Sequence, residues 1–180
     1  MSKVYYQEEQ WLAQVDKEDN IIGKIEKWKA HKEGILHRGY TVIVVYDDNI
    51  VLQHRKHPVF DGVYDLSFSS HQLYKNGKLQ TDREAIYEGL KREWGIENPP
   101  IGGLKYLNKI YYKAKDEKSE YFEHEMDYLY LVKLANLPKA NIDYAYGQKI
   151  VDKKNLLSNI YKLQLHLAPW VNKILEEKFI

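Results

Sequence analysis

Residues 121–132 read YFEHEMDYLYLV, a strand pattern that carries more charge than a purely structural strand accommodates. Side chains alternate between the two faces of a strand. Glu123, Glu125 and Asp127 therefore project to one side with Leu129 and Leu131, while His124, Met126, Tyr128, Tyr130 and Val132 project to the other. Carboxylates at alternate positions on a face that ends apolar repel one another in a part-buried cleft unless a cation or a shared proton neutralises them. That is the arrangement of a metal site or an acid/base site; an edge strand with a solvated end is the structural alternative. The rest of the chain decides between them.

At 180 residues the chain suits one domain over residues 1–180, with length enough for a sizeable core. Lys plus Arg number 27 against 26 Asp plus Glu, so the charge balance makes no case for nucleic acid or an anionic membrane as partner. Any phosphate recognition must be local. The lack of cysteine excludes disulfides, thiolate nucleophiles and Cys-ligated zinc. The opening MSKVYYQEEQ has no apolar h-region and no apolar run approaches a membrane span, which makes a soluble cytoplasmic protein the expectation.

Outward from the opening stretch, the pattern is β-rich. Trp11 to Val15, the polar turn Asp16 to Asn20 and Ile21-Ile22-Gly23 read as a short hairpin. His31 and His37 flank Gly34, a spacing too loose to be a metal motif alone, with surface histidines as the alternative. Gly39 to Tyr46 is a β-branched strand, Asp47-Asp48-Asn49 a turn and Ile50 to His54 the return, a hairpin in the core of a sheet. It ends in Arg55-Lys56-His57-Pro58, suited to a phosphate or to a charged loop. Val63 to Ser70 is expected as one strand that delivers His71.

Thr81-Asp82-Arg83-Glu84 has the form of a capping box and opens a helix with the apolar stripe Ile86, Leu90, Trp94, closed by Gly95 before Pro99-Pro100. Leu104 to Ala114 and the opening stretch, extended to about Leu134, form two strands joined at Asp116-Glu117-Lys118. Ile142 to Val151 is a weaker strand, and Asp152 to Tyr161 and Pro169 to Lys178 read as helices. Sheet, internal helix, sheet and terminal helices together predict a mixed sheet covered on both faces.

His31 and His37, then His71 after a Ser-rich strand, Glu93 in Arg92-Glu93-Trp94-Gly95, Glu123-His124-Glu125 and Ala168-Pro169-Trp170 occur in that order. The ordered set resembles the type I isopentenyl-diphosphate isomerases, a branch of the Nudix fold, over about residues 10 to 178. The resemblance implies an α/β fold in which a mixed β-sheet is sandwiched between helices. It also implies a metal cage at His31, His37, His71, Glu123 and Glu125 for Mn²⁺, Mg²⁺ or Zn²⁺, among which the ligand set does not choose. A magnesium ion riding on the substrate diphosphate would be held at Glu93, with diphosphate contacts at Lys27 and Arg55. Trp170 would face a cationic intermediate, and Tyr111 or Tyr112 would support the catalytic Glu. The implied partner is a small-molecule diphosphate, met by a monomer or homodimer.

In such enzymes the reaction protonates a carbon double bond and removes a proton from the opposite side, through a tertiary carbocation. Glu125 matches one proton carrier. The other is a Cys two residues before the third His, where this chain has Ser69. A thiol near pKa ~8.5 exchanges a proton at neutral pH, whereas an aliphatic hydroxyl needs an added base. The loop from Arg55 to Gly62 is short beside the family's and lacks a clear second Lys contact, and Gly89 sits where a phosphate-contacting Arg is expected. Two other functions stay open. A Nudix hydrolase of diphosphates requires Arg-Glu, two residues, then Glu-Glu; Glu88-Gly89-Leu90-Lys91-Arg92-Glu93 keeps one of those three carboxylates. A non-catalytic binder that keeps the metal and diphosphate contacts accounts for Ser69. His54, His57, His124 and His166 lack a partner in the motif and read as structural or surface residues.

Overall fold

The computed structural model describes residues 2–99, 103–158 and 165–180. The chain begins with α1 (Ser2–Gln7), β1 (Trp11–Val15), β2 (Ile21–Glu26), α2 (Lys27–Glu33), β3 (His37–Tyr46) and β4 (Asn49–Arg55). Four short strands follow, β5 (Tyr64–Asp65), β6 (Phe68–Ser70), β7 (Tyr74–Lys75) and β8 (Lys78–Leu79), and then α3 (Asp82–Trp94). The rest comprises β9 (Leu104–Lys115), β10 (Phe122–Leu134), β11 (Ala145–Asp152), α4 (Lys153–Ser158) and α5 (Pro169–Glu176).

Nine of these strands form one mixed sheet, and β7 with β8 makes a separate hairpin. β3 lies at the centre. It pairs in parallel with β10, Glu125 opposite His37 and Leu134 opposite Tyr46, and antiparallel with β6 at one level and β4 at another. β9 pairs antiparallel on the far side of β10. The alternation read from the sequence holds. Ile43, Val45 and Leu129 pack with Ile110, Tyr112, Trp170, Val171 and Ile174 on one face. Tyr40, Val42, Val44, Tyr130 and Val132 pack with Phe68, Ile86, Leu90 and Trp94 on the other. A register shift at Leu129/Tyr130 leaves the extra residue on β9, so the parity of β10 is unbroken. Helices thus cover both faces, as the order of elements predicts.

The capping box of α3 forms as expected: Thr81 Oγ1 accepts from Glu84 N at 3.3 Å and Glu84 Oε2 accepts from Thr81 N at 2.8 Å. α3 lies so close to the sheet that a Cβ at Gly89 would meet Phe68 Cε2 at 2.4 Å and Tyr40 Oη at 2.9 Å. No side chain fits at position 89, which is why the arginine expected there is missing.

Val63 to Ser70 is not one strand. The chain breaks at Ser67 (φ 84°) into β5 and β6. Ser67 Oγ accepts from Val44 N at 2.8 Å and donates to Val51 O at 2.6 Å, so one hydroxyl serves two strands where ladder bonds would run. The strand expected from Ile142 begins at Ala145, because Asn141 organises a turn that takes the N–H groups of Tyr144 and Ala145. The helix expected to reach Tyr161 is described as Lys153–Ser158; Tyr161, like Pro100, lies outside the described residues. α5 stops at Glu176, since Lys178 takes a left-handed conformation. α1, α2 and the β7–β8 hairpin are additions to the expected elements. No helix among the described residues is long and apolar enough to cross a membrane.

Asp19 ties the β1–β2 turn to the sheet. Its carboxylate accepts from Arg38 Nε at 2.8 Å, Lys109 Nζ at 2.7 Å and the Tyr128 hydroxyl. Burial alone would raise its pKa, but these donors outweigh burial and hold it below the usual carboxylate value. A depressed folded pKa gives stability that is present above the unfolded value and lost as pH falls through the folded one. Asp19→Asn should therefore lower the unfolding free energy by roughly 1–3 kcal/mol at pH 7. The deficit should shrink below about pH 4. Urea titrations at both pH values check this, and a deficit independent of pH would assign the loss to shape rather than charge.

Candidate metal centre

Three histidines reach one point from three elements. His31 sits in the last turn of α2, four residues after Lys27 on the same helix face. His37 starts β3, and His71 follows β6 directly. His31 Nδ1 lies 2.7 Å from Lys27 O and His37 Nδ1 2.7 Å from Ile35 O. A carbonyl only accepts, so both rings carry their hydrogen on Nδ1 and turn an Nε2 lone pair inward. There one faces a carboxylate oxygen and the other a second imidazole nitrogen. His31 Nε2 is 3.2 Å from Glu123 Oε2, and His37 Nε2 is 3.2 Å from His71 Nε2. Neither His31 Nε2 nor Glu123 Oε2 has a hydrogen-bond partner. Glu125 Oε1 lies 2.8 Å from His71 Nε2 and 3.6 Å from His37 Nε2.

Buried lone pairs converging without a proton between them repel, and a cation removes the repulsion. The ligand atoms of His31, His37, His71 and Glu123 lie within 4.8 Å of one another and all four residues are buried. This cluster could hold a divalent ion with mixed nitrogen and oxygen ligands. Burial alone would lower the His37 imidazole, but the hydrogen bond and charge of Glu125 outweigh burial and raise it. His71 is taken down to about 3, by burial first and then by the neighbouring His37 and His31, against the pull of Glu125. Burial works to raise the Glu125 carboxyl, yet His37 and His71 together hold it well below the usual value. A proton on His37 and a metal ion are thus alternatives for the same lone pairs.

Glu125 is fixed from several sides. Tyr112, its cross-strand neighbour on β9, donates to Glu125 Oε2 at 2.5 Å. Tyr111 faces the other way and pairs with His124 Nε2 at 3.0 Å, while His124 Nδ1 lies 2.7 Å from Gly34 O. On β3, a Cβ at Gly39 would lie 2.4 Å from Glu125 Oε1, so the carboxylate occupies the space that any larger residue would fill. The next carboxylate along, Asp127, is driven well above the ordinary value by burial and by the charge of Glu125. The two acids on one strand face are therefore shifted in opposite directions.

Ser69 joins this row of groups. Thr41 Oγ1 lies 2.8 Å from both Ser69 Oγ and Asp127 Oδ2, and Ser69 Oγ donates to Asp65 Oδ1 at 3.1 Å. Asp65 also accepts from Arg55 Nη1 and Trp170 Nε1, each at 2.9 Å. Trp170 is buried, with the Arg55 guanidinium 5.0 Å from its ring centroid. Lys27, Arg55, Ser69, Glu93, Tyr112 and Trp170 line one small cavity with His71, Glu123 and Glu125. Every site residue expected from the sequence is in or against this cavity.

Tyr5, Tyr6, His57 and Arg92 also line the cavity. His57, read as structural or surface, packs its ring 4.8 Å from that of Tyr6 at the cavity wall. The signal for His57 lay in the basic cluster at the end of β4. Asp65 and Thr41 alternate unobtrusively within strands, and Tyr5 and Tyr6 arrive from distant sequence, so no local pattern marks them.

No protein-family model matches the chain. Isopentenyl-diphosphate Delta-isomerase 1 of Mus musculus is 31% identical over 185 residues, covering 92% of this chain and 80% of that protein. The chain belongs to the type I isopentenyl-diphosphate isomerase family. Isopentenyl-diphosphate delta-isomerase 2 of Homo sapiens is likewise 31% identical over 188 residues, covering 93% and 82%. Among solved structures, a Deinococcus radiodurans protein superposes with a TM-score of 0.65 at 15% identity, over 93% of this chain and 98% of that one. A MutT NUDIX hydrolase from Burkholderia pseudomallei gives 0.57 at 19% identity, over 78% and 96%. At those identities the likeness is one of fold, and the fold is the Nudix sheet between helices.

For an isopentenyl-diphosphate isomerase relative, the cluster carries a direct expectation. Purified protein should hold about one divalent ion per chain, and Gly39→Ala, which forces the Glu125 carboxylate aside, should weaken metal affinity by about 10–100-fold. Metal analysis after dialysis against graded chelator reads both. Retention in the variant equal to the wild type would show that Glu125 is not needed in the cluster.

Proposed function

We propose that the protein is a metal-dependent isomerase of isoprenoid diphosphates, or a divergent relative, which interconverts isopentenyl and dimethylallyl diphosphate by protonation and deprotonation. The observation that carries this reading is the convergence of His31, His37, His71 and Glu123 on one buried point, with His31 Nε2 and Glu123 Oε2 3.2 Å apart and neither hydrogen-bonded, beside a Glu125 carboxylate gripped by Tyr112. A bound divalent ion would neutralise this cage and draw charge from Glu125. Mn²⁺, Mg²⁺ and Zn²⁺ all suit its donors.

Lys27 and Arg55 hold the substrate diphosphate. Lys27 is 1% exposed, its ammonium donates to the Gln10 amide oxygen at 3.1 Å, and no carboxylate among the described residues pairs with it. A buried ammonium facing an amide oxygen is matched to a phosphate. Glu93 carries the magnesium that accompanies the diphosphate. Trp170 walls off the carbon skeleton, excludes water and offers its π face to positive charge.

Glu125 exchanges the proton on one side of the double bond at its carboxylate, and Tyr112 fixes which oxygen is free. Ser69 serves the other side. Its hydroxyl is too weak an acid alone, but Thr41 links it to Asp127, whose carboxyl is raised in the fold, and Asp65 accepts from it. A proton passed from Asp127 through Thr41 and Ser69 to the substrate carbon leaves Asp127 as the carboxylate and Glu125 takes the proton removed on the other side; solvent then returns a proton to Asp127 and receives one from Glu125.

Ser69 itself favours a second reading, a metal- and diphosphate-binding protein without catalysis. Hydrolysis of a nucleoside diphosphate has weaker support. Glu88 is on the exposed face of α3, paired with Lys75 at 2.6 Å, and position 89 is glycine, which leaves Glu93 as the box carboxylate at the cavity.

In D₂O with isopentenyl diphosphate and Mg²⁺, the wild type should form the dimethylallyl isomer and take up deuterium. Glu125→Gln should slow this by about 10²–10⁴-fold, and Ser69→Cys should accelerate it by about tenfold or more. Absence of isomer and exchange in both the wild type and Ser69→Cys, with metal bound, rules out isomerisation. Phosphate release from a nucleoside diphosphate panel that is lost in Glu93→Gln would mark a hydrolase instead.

A further inference from the structure

The cavity beside the metal cluster contains a third, part-buried cation that neither the cage nor the expected diphosphate contacts use. Arg92 lines it together with Lys27 and Arg55. Its Nη2 donates to Glu93 Oε1 at 2.8 Å and to Ser70 Oγ at 3.3 Å, while its Nε is buried without a partner. Arg55 Nε is likewise buried and unpartnered. Two guanidiniums with spare N–H groups and an ammonium bound to an amide oxygen surround one space. Asp65 pairs with Arg55 and Glu93 with Arg92, while Lys27 has no carboxylate in ion-pair contact among the described residues.

A bland account has Arg92 serve only to neutralise Glu93. Two observations exceed it. The unpartnered Nε costs free energy unless something accepts from it. Further, the Tyr5 ring covers the guanidinium at 4.1 Å and the Lys27 ammonium at 5.4 Å. One aromatic face thus stands against two cations at once, where an anion would be held more strongly. Tyr5 is held there through its carbonyl, which accepts from Gln10 Nε2 at 2.7 Å; the same Gln10 accepts from Lys27. With Tyr5 and Tyr6 in place the free volume is about 10 Å³, scarcely that of one water, so an entering anion displaces these rings.

We propose that Arg92 is the third cation of the anion site, its guanidinium donating N–H groups to the terminal phosphate of a diphosphate once Tyr5 withdraws. This rests on the diphosphate reading above and adds a residue to it. The packing of α3 supplies the reason for the position. Position 89 is closed by Phe68 and Tyr40, and position 92, one turn further along the same helix, is open to the cavity. The planar fork of arginine suits phosphate oxygens in a way a lysine point charge does not.

The test titrates inorganic pyrophosphate with Mg²⁺ into metal-loaded wild type, Arg92→Met and Arg92→Lys by calorimetry, with metal content and thermal unfolding measured in parallel. The wild type should bind. Arg92→Met should bind about tenfold or more weakly, at unchanged metal content. Arg92→Lys keeps a positive charge beside Glu93 and removes the fork; it should lose several-fold, and it carries the test should Arg92→Met not fold. Wild-type affinity in Arg92→Lys overturns the guanidinium contact while leaving the diphosphate reading intact. Failure of the wild type itself to bind pyrophosphate overturns both.

Discussion

The in-register parallel pairing of β3 with β10 is the constraint on which the site depends. It sets His37 beside Glu125 and Gly39 beside Asp127, and from there the neighbouring strands add Tyr112 and Ser69. Side-chain period in a strand is two, so a slip of one residue would turn every carboxylate of β10 into the apolar layer beneath α3. The apolar residues farther along the same strands hold the register. Leu129 and Ile43 enter one core while Tyr130, Val42 and Val44 enter the other, and each buried aliphatic contributes about 1.5–3 kcal/mol that a slip would forfeit. Hydrophobic packing at one end of the sheet thus keeps an unfavourable concentration of charge in place at the other.

That concentration is tolerated because it is divided. Glu125 is held low by two imidazoles, Asp127 is raised by burial and by Glu125, and Asp65 is matched by Arg55 and by the Trp170 indole. The pKa values of adjacent acids on one strand face are thus pushed apart. The hydroxyls of Thr41 and Ser69 link Asp127 to Asp65. The same groups that make the site chemically interesting are therefore the ones that keep its buried charges compatible.

Much of this was legible in the sequence. The alternation of β10, the capping box of α3 and the β3–β4 hairpin are local signals, and local signals survive in the fold. The cluster of His31, His37, His71 and Glu123 was legible for a different reason: with Glu125 these residues occur in a distinctive order, although no pair among them is informative alone. What escaped reading depends on contacts between distant segments. Ser67 breaks an otherwise persuasive strand because its hydroxyl serves two others. Tyr5 and Tyr6 reach the cavity from a segment with no apolar periodicity. Arg92 resembles any charged residue near a helix C-terminus until the tertiary arrangement turns it inward. The choice between Tyr111 and Tyr112 needed the pairing register, which the sequence does not print.

Gly89 shows how such a site is confined in its history. Any side chain at that position collides with Phe68 on β6 and Tyr40 on β3, both fully packed into the core beneath α3. Introducing a charged residue there would require smaller partners at positions 40 and 68, yet shrinking either without filling position 89 leaves a cavity, itself costly by about 3–5 kcal/mol for an aromatic truncation. The three positions are epistatic: each step alone is penalised, and the change is accessible only as a concerted set. A lineage that adopted this close helix–sheet contact could alter the charge of its pocket through neighbouring turns of the helix, but not at the glycine.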